Sequence, residues 1–586
     1  MKRTVRHIAI VFFAFINVTV SNAQKKVQGS AFEALNTIPQ EHIYMHLNST
    51  LFLTGEYAYY KIYCLDSQTK DLSKISKVAY VQLISASGEK IVEQKLLLTN
   101  GEAYGDFFLP TTLNTGSYTL IAYTNWMRNY DEDHFYRTDV HIINPYRPLD
   151  DENSSDQQIA LPAHTTISIA GQPTQLTSEL SAKTDKEHYR QREKVVLSFK
   201  SEEENQLANL SISVRKIDNL PRPSSLSLKE VINQQNVRMN QNDGMFLPEL
   251  RGEIICGKLS SQDGRALGNL KIALSIPGSR FHAGITTTNN DGSFYFNVNS
   301  RYSLNTFAFQ VIDADTDDFR IELCSEEPFK TSFTPSKEVY INETMRDEIL
   351  DRSIHNQLEN AYFQYRLDEV MPNQEMRLFQ NWEATSYLLD DYTRFKTIEE
   401  TIFEYVKNVF VRRDGDVKKI QIQGLDFDAS SGIPPLIILD GIILQQHNQL
   451  LEQNAINFEE ITVYRNQFVF GPQTYQGVLV LRSNKTLEYF LDGNIFEGLS
   501  LITTQNFVGL KKYARQTYSD DQGVVVTRIP DDRYQILWEP NFELSNDNSS
   551  IEFFTSDITG EFEVCVEGLM NDGTPISVKQ TFWVKQ

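Results

Sequence analysis

Cysteine is scarce: four stand in 586 residues. None forms a CxxC pair, so neither a disulfide-stapled scaffold nor a zinc ribbon is encoded. Proline is sparse too, at 19 against 27 Tyr and 35 Phe, a balance that favours strands. Positive charge is short, with Lys plus Arg at 55 against 77 Asp plus Glu, a formal net charge of −22. That sign argues against non-specific binding to nucleic acid or to an anionic membrane surface. The sequence also lacks an HExxH zinc pair, a GxSxG elbow, a phosphate-cradling GxxxxGKS/T loop and a GxGxxG turn after a strand. The common catalytic classes lose their machinery with these motifs, and the chain is read as a non-enzyme with no cofactor and no metal.

What is present begins with an export signal. Lys2, Arg3 and Arg6 form a basic start, Ile8 to Val20 an apolar core, and Ser21-Asn22-Ala23 a set of small residues at the cleavage position. Residues 1–23 are thus a signal peptide, cut between Ala23 and Gln24. The core, interrupted by Asn17, falls short of the roughly 20 residues a membrane span needs. No later stretch reaches that length, so the mature chain is expected to be exported without a spanning segment. Periplasmic, outer-membrane-associated and cell-surface locations all fit.

Residues 38–145 alternate as strands do. In Val78–Ala86, Val78, Tyr80 and Gln82 face one way while Ala79, Val81 and Leu83 face the other. Short strands between polar turns point to a sandwich. The strings IYMHLNSTLFLTGEYAYYKIYC (Ile43–Cys64), GDFFLP (Gly105–Pro110) and YTNWMRN (Tyr123–Asn129) resemble the macroglobulin-type β-sandwich domain of large exported Bacteroidetes-type proteins. Residues 146–175 are polar and acidic, a linker. Residues 176–220, with the strands His188–Phe199 and Ala208–Asp218, resemble a second, shortened module of that type. Residues 221–249 read as a polar connector with one short helix.

Residues 250–325, from GEIICGKLSSQDG to TTTNNDGSFYFNV, resemble a carboxypeptidase-regulatory-like β-sandwich, a fold that brings no catalysis of its own. Asp291-Gly292 marks its hairpin turn, with Phe294 and Phe296 on one face of the next strand. Helical periodicity follows in 345–398, where Ile349, Ile354, Leu358, Ala361 and Tyr362 lie near one stripe and Asn342 or Thr344 caps the start. A second helix is expected over Thr397–Val409, with Thr397 and Glu400 as a capping box.

Residues 399–485 carry PPLIILDGI (Pro434–Ile442), INFEEITVYRN (Ile456–Asn466) and YQGVLVLRSN (Tyr475–Asn484). Their order resembles the plug domain of TonB-dependent outer-membrane receptors, although the loop Phe470–Tyr475 departs from the receptor pattern. Only about 100 residues follow, too few for a barrel of some 22 strands at roughly 10 residues each. Residues 500–586 resemble a closing macroglobulin-type sandwich.

Several residues invite chemistry and have a plainer reading. The macroglobulin thioester needs Cys-Gly-Glu-Gln, but Cys256-Gly257 is followed by Lys258. Asp313, Asp315, Asp317 and Asp318 suggest calcium, yet the loop lacks the required glycine and closing Glu, and a solvated turn accounts for them. Cys256 and Cys324 lie on the first and last strands of one sandwich; export permits a bridge, distance decides it, and buried free thiols are the alternative. Cys64 and Cys565 read as core. His46, His134, His141 and His282 show no ligand spacing. Trp126 reads as a seal on the sandwich end, with a sugar platform as the competing role.

These features describe a mainly β chain of tandem immunoglobulin-like, macroglobulin-type sandwiches, with a small α/β plug-like domain and a short helical segment. The function expected is non-catalytic binding or scaffolding in the cell envelope, at an outer-membrane transport or assembly complex of the TonB-dependent type. The partner is a protein, an outer-membrane barrel protein foremost; a glycan is the other ligand class. Asp440, Gly441, Phe470, Gly471 and Tyr475 are the expected interaction surface. The alternative is a thioester-less macroglobulin-like protease-binding or protease-sensing protein, with 146–175 and 219–242 as candidate bait segments.

Overall fold

The computed structural model describes residues 37–586 apart from 148–179, 202–207, 234–245, 313–318, 373–378, 426–431, 519–527, 546–548 and shorter breaks. Ala23, Gln24, most of the linker 146–175 and the aspartates at 313–318 therefore lie outside the described residues. The architecture is mainly β, built from small packed sheets.

The first sandwich packs a three-stranded sheet (Glu41–Leu47, Tyr57–Asp66, Glu102–Phe108) against a five-stranded one that includes Val78–Ser85 and Gly116–Tyr123. Ala79, Val81 and Leu83 enter its core, as the alternation predicts. The opposite face is buried as well, because Val78 and Tyr80 pack under the next sandwich. Trp126 is fully buried and its Nε1 donates to the Pro39 carbonyl at 2.8 Å, so it seals the sandwich end.

The predicted short module at 176–220 and closing sandwich at 500–586 are two halves of one sandwich. Ala208–Lys216 pairs with Gln535–Leu544 on one side and with Gly560–Met570 on the other. Lys194–Ser201 likewise pairs with Ser550–Phe554. The physical reason is burial: a few short strands expose two edges and an apolar face, and the C-terminal strands cover both. The joint core combines Leu197, Leu210, Ile212 and Val214 with Phe553, Phe562, Val564 and Phe582.

Everything between Lys216 and Gln535 is thus inserted into this split sandwich. The connector's helix, Leu228–Ile232, has a Ser227–Glu230 capping box and sends Leu228, Val231 and Ile232 into the first sandwich's core. The third sandwich carries Glu253–Ser261 and Lys271–Ile276 in facing sheets, and Cys256 and Cys324 are disulfide-bonded across Cα atoms 5.3 Å apart. Its second sheet is completed by Ser500–Thr503, which pairs with Thr306–Ile312 and so does not belong to the closing sandwich.

A mixed α/β unit follows, with sheet order Ala384–Leu388, Phe458–Phe470, Gln473–Ser483, Leu436–Leu439, Ile442–Leu444. It takes in Ala384–Leu388, which the sequence reading assigned to the helical segment. Leu436–Leu439 runs parallel to Gln473–Ser483, then turns back at Asp440 and Gly441, whose φ angles of 48° and 89° mark a left-handed turn. The departing loop at 470–475 is a tight hairpin, in which Phe470 pairs with Gln473 around Gly471-Pro472.

The long helix Arg346–Ala361 inverts the expected stripe. Ile354 and Leu358 are exposed, whereas Arg352, Ser353 and Asn356 are buried with Ile349. Arg352 explains the inversion. Its guanidinium gives Glu56 two hydrogen bonds, at 2.8 and 2.7 Å, Asp218 one at 2.7 Å and the Leu51 carbonyl one at 3.1 Å. Burial pushes the Glu56 carboxyl up, but Arg352 and Arg215 outweigh it and hold the pKa below its ordinary value. The first sandwich, the split sandwich and the helix meet at this one side chain. Arg352→Met leaves Glu56 and Asp218 with one guanidinium each, Arg215 and Arg222, and is expected to cost up to about 3–5 kcal/mol, read as a lowered urea midpoint.

A second polar seam joins the first and third sandwiches. Lys95 Nζ reaches Glu253 at 2.6 Å and the Tyr302 hydroxyl at 2.5 Å, while the Tyr80 hydroxyl donates to Glu249 at 3.2 Å. Burial raises the Glu249 carboxyl from 4.5 to about 8; Glu253 adds to the rise, and the Ile254 amide, Tyr80 and Lys95 oppose it. A carboxyl that keeps its proton in the fold and loses it on unfolding makes stability fall as pH rises from about 4.5 to about 8. Glu249→Gln is expected to flatten that part of a stability–pH profile measured by thermal melting.

Candidate partner-binding groove

The α/β unit presents a groove between a strand edge, a helix end and a β-hairpin. The helix is Ile398–Tyr405, held by the reciprocal capping box that the sequence predicts: Glu400 N donates to Thr397 Oγ1 at 3.2 Å, and Thr397 N to Glu400 Oε2 at 3.3 Å. Ile398, Thr401 and Ile402 enter the core. The helix stops four residues before the predicted end, because Val406 is extended and Asn408 adopts φ 63° to start a hairpin.

That hairpin pairs Val409–Asp414 with Val417–Ile422. Val409, Ile420 and Ile422 anchor it in the core. Ile420 N donates to His447 Nδ1 at 2.9 Å, which fixes that ring nitrogen as an acceptor. Burial lowers the His447 pKa to about 4, so the ring stays neutral and the contact persists at neutral pH.

Ala384–Leu388 forms the opposite wall. Among the described residues it pairs with Phe458–Phe470 alone and leaves its other edge open. Tyr387 is its one buried residue, and the hydroxyl accepts from Lys407 N at 3.0 Å, tying the strand to the helix end. Between the walls lies a cavity of about 1540 Å³, floored in part by Tyr387, Tyr392, Tyr405 and Val411. The Tyr392 and Tyr405 rings stack 4.4 Å apart.

The rim is apolar and carries charges of both signs. Phe403 is 85% exposed and Phe410 54%. Glu399 is occupied by Arg413 at 2.7 Å and Lys418 at 2.9 Å, and the hydrogen bond from Lys418 leads in holding its carboxyl below the ordinary range. Glu400, Glu404 and Glu452 line the groove beside Lys407, which is exposed and has no carboxylate partner among the described residues. The groove is thus rimmed by aromatic rings and by charges of both signs. An open strand edge beside such a groove suits capture of an extended segment by main-chain pairing.

The five residues expected to form the interaction surface lie elsewhere, four of them in the seam with the third sandwich. A Cβ on Gly441 would sit 2.3 Å from Phe281 Cβ, and one on Gly471 would sit 2.0 Å from the Ile285 carbonyl oxygen. Tyr475 is buried with Ala273, Ala283 and Ile285, and Phe470 packs against the same cluster. Asp440 is turned inward as well: its carboxylate accepts from Ser483 N at 2.8 Å and from Ser483 Oγ at 2.6 Å. Their apolar, turn-rich character encodes an internal contact. Phe403 and Phe410 were missed, although Phe403 stands a quarter-turn off the stripe of Ile398 and Ile402, and that signal was in the sequence.

The histidines do not converge. His46 is buried and shares a hydrogen with Ser211 Oγ at 2.6 Å, while His282 lies in the third sandwich. Among the described residues no group of three or more His, Cys, Asp or Glu is gathered to hold a metal ion, and no helix is long and apolar enough to cross a membrane.

No protein-family model matches the chain, and no curated protein matches it. Among solved structures it is similar to bacterial α2-macroglobulins. The native Escherichia coli protein matches at 9% identity and TM-score 0.22, over 93% of this chain and 40% of that one. The E. coli protein activated by porcine elastase matches at 9% and 0.24, over 93% and 44%. The Salmonella protein reacted with methylamine matches at 10% and 0.23, over 93% and 39%. This chain spans about two fifths of the length of each. Likeness at that score assigns no role to any residue here.

Proposed function

We propose that the chain is a non-catalytic, protein-binding component of the cell envelope that captures an extended segment of a partner in the groove of its plug-like unit. The observation that carries this reading is the open edge of Ala384–Leu388 beside a cavity rimmed by Phe403 and Phe410. The backbone edge supplies affinity, and the exposed rings of Phe403 and Phe410 select a segment with apolar side chains. The export signal supports an envelope location. The plug-like sequence blocks support a partner from an outer-membrane transport or assembly complex, a barrel protein foremost.

Protease binding without a thioester is the second reading, and it needs a segment that a protease can reach. The segment 219–242 is poorly suited through its first half, where Leu220, Leu228, Val231 and Ile232 are buried. That leaves 146–175, whose linker composition is what favours the reading.

Tagged mature chain, drawn gently from its own envelope, is expected to retain a barrel protein in stoichiometric amount. Phe403→Asp with Phe410→Asp removes two exposed rings worth about 1.5–3 kcal/mol each when covered. The partner should then be lost at least roughly tenfold with the melting temperature unchanged. Equal recovery on the double variant overturns the groove. A protease held after cleavage within 146–175 transfers the function to the second reading.

A further inference from the structure

A second concavity, apart from the groove, opens where three parts of the chain meet. It measures about 610 Å³ and lies between Tyr59 of the first sandwich, the turn after the long helix, and Arg533 to Trp538 of the split sandwich. Pockets of this size at module junctions, with aromatic walls and a few convergent polar groups, are characteristic small-ligand sites.

Its charges are largely spent internally. Asp531 takes Arg533 through two contacts of 2.6 Å and Arg366 at 3.3 Å, and accepts from the Tyr518 hydroxyl at 2.5 Å. Arg515 is paired with Glu539. Asp368 accepts from Ala514 N at 3.0 Å. Glu369 and Lys512 also line the cleft, both exposed and opposite each other in a strand pair, so the remaining charges balance and favour neither an anionic nor a cationic ligand.

What remains is apolar surface beside uncommitted polar groups. Phe363 stacks one face on Tyr57, with centroids 5.7 Å apart and planes 11° from parallel. Tyr365 is 57% exposed. Glu359 lines the cavity and accepts no hydrogen bond among the described residues. Burial lifts its carboxyl pKa to about 7, against the opposing pull of Arg533 and Arg366 and with the support of Asp531 and Glu56. A strongly shifted, unpartnered carboxyl in a cleft is a mark of a functional position.

We propose that this cleft binds a neutral saccharide, with Phe363 and Tyr365 covering the apolar face of a sugar ring and Glu359 taking a sugar hydroxyl. A pyranose matches the residue set. It offers a C–H face to aromatic rings, and hydroxyls that donate or accept according to the protonation of Glu359. It also needs no counter-charge, and the charges that line the cleft balance one another.

The test applies mature full-length chain to an array of neutral oligosaccharides, and follows each retained sugar by calorimetric titration. At least one sugar should bind saturably. Glu359→Gln and Tyr365→Ala should each weaken it roughly tenfold, the loss expected for one hydrogen bond to a charged group or one covered ring. Tyr365→Phe should bind as the parent does, and the Phe403→Asp, Phe410→Asp double variant should keep full affinity, which separates this cleft from the groove. Three results overturn the proposal: no neutral sugar retained, binding indifferent to both cleft variants with unchanged melting, or a short unmodified peptide displacing the sugar from the cleft.

Discussion

The architecture depends on one buried guanidinium. Arg352 has no exposed side-chain surface, and Glu56 and Asp218, which grip it, come from two different sandwiches. Removing such a charge from water costs several kcal/mol, and only a nearly complete set of partners offsets that. The arrangement is therefore directional. A greasy contact would tolerate sliding, whereas this one is satisfied in a single relative placement of helix and sandwiches. Arg215 of the split sandwich and Arg222 of the connector reinforce it, at 3.2 Å from Glu56 and 2.8 Å from Asp218.

The same logic recurs at the other seams. Lys95, Glu253 and Tyr302 lock the first sandwich to the third, and Gly441 and Gly471 let the α/β unit press directly on that third sandwich. With so much of the chain's polarity turned inward, the features that stay open gain weight. They include a strand edge with its groove on the α/β unit and a cleft at the central junction. One offers backbone and bulk, the other rings and a lone carboxyl, so they suit different classes of ligand and need not compete.

Much of the local structure was legible in the sequence. The alternation of Val78–Ser85, the Asp440-Gly441 turn and the Thr397–Glu400 cap are each specified by residues a few positions apart, and each is present. What escaped was set by partners remote in sequence. Ala208–Lys216 reads the same whether its neighbours come next or at the far end of the chain, so one sandwich read as two. Arg352 looks like a solvent-facing residue until Glu56 and Asp218 are brought to it, and the helix stripe was assigned to the wrong side for that reason. The interaction surface failed similarly: Phe470 and Tyr475 signal burial against something, and the something is the chain's own third sandwich.

The split sandwich also dictates an order of events. Ala208–Lys216 emerges early, yet both strands flanking it, Gln535–Leu544 and Gly560–Met570, arrive after the whole insert has been made. Closing so long a loop costs little more entropy than closing a short one, but it delays the search, and contacts of such sequence separation form slowly. The inserted modules have cores of their own and can settle first, drawing the two halves together as they do. Until the distal strands dock, Asp218 and Arg215 have no finished sandwich behind them. Completion of the junction thereby becomes a checkpoint for chain integrity: an interrupted polypeptide leaves Ala208–Lys216 without its flanking strands, an apolar edge open to cleavage and association.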